Sequence, residues 1–309
     1  MTSTSDRGLS FGTDPRPAPR ARVGVFGIGL EAYWPQFAGL RERCEGYQRR
    51  VEEKVEELGA EVVSAGLVDT AQKARAAGER FKREDVDLVL CHAVTYATSS
   101  QVLPAVQEAG VPCLLLALQP VKALDYENTD TAEWLANCSA CCVPELAGAF
   151  TRSRVPYDTV TGTIDDDERA WSQIAAWVRA AGVARALRRA RIGFLGHTYP
   201  GMLDLYTDFT MVHAQLGAHV EVLEIEDLGV RVDAATDEEV AAKRAEIEAM
   251  FDFADPSADP IAGPIEDESM DFSARVAVGL DRLCADFELD GLTYYYRGLN
   301  ENEAERLGA

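Results

Sequence analysis

No run of apolar residues in this 309-residue chain approaches the roughly 18 that a membrane-spanning helix requires, so no membrane partner is expected. The segment 1–22 holds Ser, Thr, Pro and Arg without an apolar core. That is not the pattern of a secretory signal, and its two Asp residues, Asp6 and Asp14, speak against an organelle transit peptide. Positive charge is scarce: 30 Lys and Arg stand against 52 Asp and Glu, a formal net charge of −22. Binding DNA or RNA requires clustered basic side chains to neutralise phosphates, so a nucleic-acid partner is not expected either. The acidic surplus favours solubility and leaves room for a divalent cation. The seven cysteines are odd in number and irregularly spaced, and several sit in apolar runs, which predicts a reducing, cytoplasmic setting. Cys138-Ser139-Ala140-Cys141-Cys142 contains a C-x-x-C pattern. Neither a second Cys pair nor paired His residues follow to complete a zinc site, so the segment is read as a buried helix face.

What the chain does have is the balance of a globular protein, 47% hydrophobic and 27% charged, with length enough for two domains. Apolar runs that read as strands, beginning with Val23 to Ile28, alternate with segments of helical period. Leu40, Cys44, Tyr47, Val51, Val55 and Leu58 recur at spacings of three and four and stop at Gly59. Strands are predicted over Glu61 to Ala65, Leu88 to Cys91, Val111 to Ala117 and Tyr157 to Thr161. Helices are predicted from Thr131 to Phe150 and around Trp171, Ile174 and Val178. The pattern restarts at Arg191 to Leu195 and ends with a strand over Gly291 to Tyr296. Such alternation predicts an α/β fold of two consecutive Rossmann-like units, doubly wound on mostly parallel sheets. The expected division is a tail over 1–22, a first unit over 23–185 and a second over 186–309. Only about a dozen residues follow the last strand and no closing helix covers it, so the chain reads as a fragment truncated in its second unit.

In sheets of this kind ligands bind beyond the carboxyl ends of the strands, which nominates specific loops. Gly27-Ile28-Gly29-Leu30-Glu31-Ala32 matches the dinucleotide fingerprint formally. The fingerprint needs a helix that starts at its second glycine, so that the N-terminus meets a pyrophosphate. Tyr33-Trp34-Pro35 intervenes, which moves the helix start to about Pro35, and no acidic residue ends the second strand where a ribose contact would sit. A tight turn that projects Glu31, Tyr33 and Trp34 into a cleft is the simpler reading. His92 to Ser100 is rich in hydroxyls and carries Tyr96. It suits either a polyol or helix capping by Thr98 or Ser99. Gln119 ends the fourth strand with an amide that can donate to and accept from a sugar hydroxyl. Gly196 to Asp204 gathers His197, Tyr199 and Met202 in a second candidate ligand loop, while His213 and His219 read as structural. Glu301, Glu303 and Glu305 follow the last strand and could bind a cation or simply favour a helix start.

Taken in order, the segments Gly27 to Phe37, Val68-Asp69-Thr70, His92 to Ser100, Leu118-Gln119-Pro120 and Gly196 to Asp204 resemble the L-arabinose isomerase and L-fucose isomerase superfamily. The resemblance runs from about Val23 to the C-terminus and rests on the order of the set. It implies an enzyme that interconverts aldoses and ketoses with a divalent metal, usually manganese. It also implies N-terminal and middle Rossmann-like domains followed by a C-terminal domain, and assembly into homo-oligomers, typically hexamers, with active sites between subunits. Carried over by position, it points to Glu31, Tyr33, Tyr96, Gln119, His197 and Met202 as substrate contacts. Where arabinose isomerases end the middle domain's last strand with a metal-ligand Glu, this chain has Arg297. Either Glu301 or Glu303 takes over the ligand role, or this branch does different chemistry. The metal would act as a Lewis acid on the two sugar oxygens while carboxylates move the proton. The competing readings are a nicotinamide-dependent oxidoreductase, from the first Gly turn, and a non-catalytic sugar-binding protein.

Overall fold

The computed structural model describes residues 19–199, 201–253, 264–295 and 307. The chain divides into two compact units, one spanning Ala18–Ala186 and the other running on through Leu187–Ala309.

In the first unit the chain alternates as its hydrophobic periods dictate. β1 (Arg22–Ile28) leads to α1 (Leu40–Glu57), β2 (Glu61–Val68), α2 (Ala71–Arg83), β3 (Leu88–His92), α3 (Leu103–Ala109) and β4 (Cys113–Gln119). Two short helices, α4 (Thr131–Ala136) and α5 (Val143–Arg152), precede β5 (Tyr157–Thr163) and the long α6 (Glu168–Arg189). The strands form one parallel sheet in the order β2-β1-β3-β4-β5. Continuous apolar runs such as Cys113 to Leu118 are buried throughout, as a strand covered on both faces must be. Phe26, Ile28, Phe81, Val89, Leu115 and Phe150 belong to one core under α2, α3 and α5. Val23, Val25, Leu90, Leu116, Val160 and Ile174 belong to the opposite core under α1 and α6. The buried Arg185 guanidinium of α6 reaches Asp87 at 3.2 Å, just ahead of β3. A charge taken out of water needs such a partner.

The second unit starts at β6 (Arg191–Leu195) and continues through α7 (Phe209–Leu216), β7 (His219–Leu223), α8 (Ile225–Asp233), α9 (Asp237–Met250), α10 (Asp267–Asp286) and β8 (Gly291–Tyr294). Its sheet is also parallel, in the order β7-β6-β8. Leu195, Leu223, Leu228, Val232, Val276 and Leu283 form its core between the sheet and the α8–α10 pair. The expected Rossmann-like α/β class is therefore what the chain adopts.

Several local expectations change. The second strand continues past Ala65 to Val68, through a register shift against β1 between Val25 and Phe26, so Asp69 does end it. The first helix starts at Leu40 rather than near Pro35. A short 3₁₀ turn over Glu31–Tyr33 occupies the space, and Gly39 in a left-handed conformation precedes the helix. The helical stretch predicted over 131–150 is made of two short helices, α4 and α5. The segment read as a buried helix face is the connection between α4 and α5, and there Cys138 and Cys141 are joined by a disulfide. Helical spacing puts residues three apart on one side, and a tight connection between two short helices does the same, so periodicity alone cannot separate them. Arg297, Glu301, Glu303, Glu305 and Tyr296 lie outside the described residues.

Candidate functional site

The order of the first sheet reverses at β1, which lies between β2 and β3, so the loops after β1 and β3 leave the sheet edge in opposite directions. This is the crevice where a ligand site is expected, and its geometry follows from three glycine-sized and polar requirements. A side chain at Gly27 would meet the Gln48 Oε1 at 2.7 Å and Val94 at 2.8 Å. A side chain at Gly29 would meet the Trp34 ring at 2.8 Å. The second glycine of the apparent fingerprint therefore makes room for an indole. With α1 starting eleven residues beyond Gly29, no helix N-terminus stands there for a pyrophosphate.

Trp34 is fixed by its own polar edge. Its Nε1 donates to Asp69 Oδ2 at 2.9 Å, and Lys73 Nζ donates to Asp69 Oδ1 at 2.6 Å. Burial pushes the Asp69 carboxyl up, but the hydrogen bonds from Lys73 and Trp34 outweigh it and hold the group below its ordinary range. Asp69 is thus ionised, buried and occupied by this chain's own donors. That answers the ribose question: an acid does end the second strand, but it positions Trp34. The Gly29 and Glu31 amides complete the link by donating to the Val68 and Asp69 carbonyls.

The loop after β3 is also tied to this chain's own groups, although the buried His92 Nε2 has no hydrogen-bond partner among the described residues. His92 is fully buried at the strand end, with Nδ1 3.0 Å from Gln48 Oε1. Burial pushes its imidazole down to about 4, so it is neutral at pH 7. Gln48 Nε2 in turn donates to Glu52, which also accepts from Ser64. Thr95 Oγ1 donates to the Leu135 carbonyl at 2.8 Å. Thr98 forms a capping box with Gln101, and Ser99 donates to Glu145 through both its amide and its hydroxyl. Of the two expectations for these hydroxyls, capping describes Thr98.

Tyr33 and Tyr96 are brought together. Burial, then the nearby Tyr96 and Cys142, push the Tyr33 phenol up. Both rings are half-buried, and Tyr33 stacks edge-on against Phe37 at 6.2 Å. Glu31 is exposed on the 3₁₀ turn. Gln119 is half-buried at the end of β4, and its carbonyl accepts from the Ile164 amide. The floor beneath Tyr33 and Trp34 is Leu40, Cys44, Val94, Leu135 and Ala136. α4 is clamped to α1 by a bidentate pair, Arg43 to Glu133 at 2.5 and 3.0 Å. Trp34, Asp69 and Lys73 are the residues that the carried-over contact set does not include. The signal was present in Trp34 and in Val68-Asp69-Thr70, but it required the true end of β2.

In the second unit the loop after β6 carries the other two expected contacts. His197 is exposed, with its ring 6.1 Å from the Tyr295 ring and edge-on to it. Met202 is 49% exposed. An open cleft of about 510 Å³ runs along the sheet face from His197, Thr198 and Tyr199 over Ile192, Phe194 and Val220 to α7. His213 Nδ1 lies 3.3 Å from the Ala218 carbonyl and His219 Nε2 lies 3.3 Å from Glu221 Oε2. Among the described residues, no three His, Cys, Asp or Glu side chains come together as a metal-binding set.

No protein-family model matches the chain. It is 30% identical over 188 residues to the L-arabinose isomerase of Acidothermus cellulolyticus, covering 61% of this chain and 37% of that protein. It is 30% identical over 186 residues to the L-arabinose isomerase of Clavibacter sepedonicus, covering 60% and 36%. It is 24% identical over 206 residues to that of Aeromonas salmonicida, covering 67% and 40%. The chain thus spans 36–40% of the length of the curated relatives it matches.

Proposed function

We propose that this chain is part of a sugar-handling system of the arabinose isomerase type, an aldose–ketose isomerase whose first unit positions the sugar. The observation that carries the reading is the shared identity with proteins named L-arabinose isomerase over some 60% of the chain. The crevice supports it physically. Tyr33, Trp34 and Tyr96 offer aromatic surface suited to the apolar C–H face of a sugar. Glu31, on the 3₁₀ turn after β1, and Gln119, at the end of β4, are proposed to bond its hydroxyls. Asp69 and Lys73 act as positioning residues, holding the Trp34 ring at the crevice. His197 and Met202 are proposed as sugar contacts of the second unit taken by itself.

In the reaction itself a hydrogen moves between C1 and C2 and a proton between two oxygens. A divalent metal, proposed as manganese, supplies Lewis acidity to such a step. The described residues offer no ligand set for it, and Glu301 and Glu303 are the candidates that lie beyond them. What the described residues do is bind and orient. A homo-oligomer working in the cytoplasm is part of the same proposal.

The test is incubation of the protein with manganese and L-arabinose or L-fucose, with ketose formation as the readout. Ketose formation that disappears on chelation supports the isomerase reading. Saturable sugar binding without turnover would instead make the chain a non-catalytic sugar binder.

A further inference from the structure

We infer that the Cys138–Cys141 pair is a reversible thiol–disulfide switch that sets how firmly α4 closes over the loops after β1 and β3. The inference stands apart from the isomerase reading, because it concerns only this chain's packing.

The bond sits where its state is transmitted. Cys141 is exposed while Cys138 is buried, so a dithiol in solution reaches one sulfur and the protein shelters the other. Asn137, the neighbour of Cys138, donates from Nδ2 to the Glu133 backbone carbonyl and to Glu133 Oε1, both at 2.9 Å. Glu133 is the partner of Arg43 on α1. Three residues before Cys138, the Leu135 carbonyl accepts the buried Thr95 hydroxyl, and Leu135 and Ala136 pack against Tyr33 and Trp34. Beyond the pair, Cys142 is a buried free thiol whose Sγ lies 4.0 Å from the Thr95 carbonyl. One short covalent loop is therefore flanked on both sides by contacts to the β3 loop.

The bonded state also carries a cost that the open state can relieve. The Asn137 Oδ1 and Ser139 Oγ atoms are buried without a hydrogen-bond partner among the described residues. Such groups cost free energy unless they are satisfied. Both lie in or beside the four-residue ring, which is too short to remove much entropy from the unfolded chain. A bond that closes so short a ring stabilises little globally and is poorly suited to be a permanent staple. In a reducing setting, transient pairs of this kind are the usual disulfides.

The chemistry balances with a dithiol as reductant. Its thiolate attacks Cys141 Sγ, the S–S bond breaks, and Cys138 leaves as a thiolate that takes up a proton. The second thiol of the dithiol then closes on its own sulfur and releases the Cys141 thiolate, which is protonated in turn. The protein gains two electrons and two protons, and the dithiol becomes a cyclic disulfide.

The experiment equilibrates the protein in mixtures of reduced and oxidised dithiothreitol. It reads the pair by mass after alkylation and follows hydrogen exchange in the same samples. The expected result is interconversion in both directions, with reduction speeding exchange over 29–37, 93–99 and 131–142 by about tenfold and leaving β1 and β3 unchanged. The double variant Cys138→Ser, Cys141→Ser exchanges like the reduced protein in every mixture. Three results would each overturn the inference: a pair that never forms in oxidised dithiothreitol, equal exchange over 29–37 and 93–99 in both states, or a double variant that still responds to redox poise. The wild-type comparison decides the matter even if the double variant does not fold.

Discussion

The five-stranded sheet of the first unit is covered by helices on both faces, whereas the three-stranded sheet of the second is well covered on one. β4 has six of its seven residues buried, while β7 has one of five, and Val222 on β7 is 57% exposed. The loops differ in the same sense. In the first unit Trp34, Asp69, Thr95, Thr98 and Ser99 already bond to one another's neighbourhoods, so the crevice is preorganised. In the second, Met202, Leu203 and Tyr206 stand exposed beside an open apolar cleft. A crevice that spends its polar groups on its own geometry holds its rings in place before a ligand arrives, which lowers the ordering cost of binding.

The sharpest contrast comes from truncating the two sheets. Leu116→Ala removes a fully buried side chain from β4 and is expected to cost about 3–4 kcal/mol in denaturant unfolding. Val222→Ser on the open face is expected to stay within about 0.5 kcal/mol. Equal losses would erase the distinction.

Acid sharpens the same contrast through His92. Its folded pKa of about 4 lies below the ordinary 6.5, so the unfolded chain binds the proton first as pH falls. Stability is fully present above 6.5 and declines towards 4, by about 3 kcal/mol across the window. Urea midpoints measured between pH 7 and 4 will show this slope in the wild type and a shallower one in His92→Gln.

A smaller effect is expected from Gly29→Ala. The new methyl enters the space of the Trp34 ring, costing about 1–3 kcal/mol. It also shifts tryptophan fluorescence as Trp34 leaves Asp69. An unchanged spectrum would mean that the glycine serves something other than the indole.

The alternation of strands and helices was legible because each apolar run is bounded by its own stop. Gly59 adopts the left-handed conformation that glycine favours one residue beyond Leu58, just past the helix predicted to stop there. The end of β2 was not legible, because Gly66 inside the strand and a register shift carry it through a stretch that reads as a turn. For the same reason Asp69 was missed as the anchor of Trp34. The meeting of Tyr33 with Tyr96 was not predicted; it follows from the parallel pairing of β1 with β3, which sequence periodicity does not give. The Cys138–Cys141 bond was not legible either, since spacing of three suits a helix and a tight connection alike.

The most direct test of the central claim, that the first unit's crevice is where the sugar is held, is a titration with L-arabinose followed by saturation-transfer NMR. It compares the wild type with Tyr96→Ala at the crevice and Phe194→Ala on the open face of the second unit. The account predicts that Tyr96→Ala weakens binding by about tenfold or more, equivalent to about 1.4 kcal/mol, while Phe194→Ala leaves it within about twofold. Unchanged affinity in Tyr96→Ala, or a larger loss in Phe194→Ala, would contradict it.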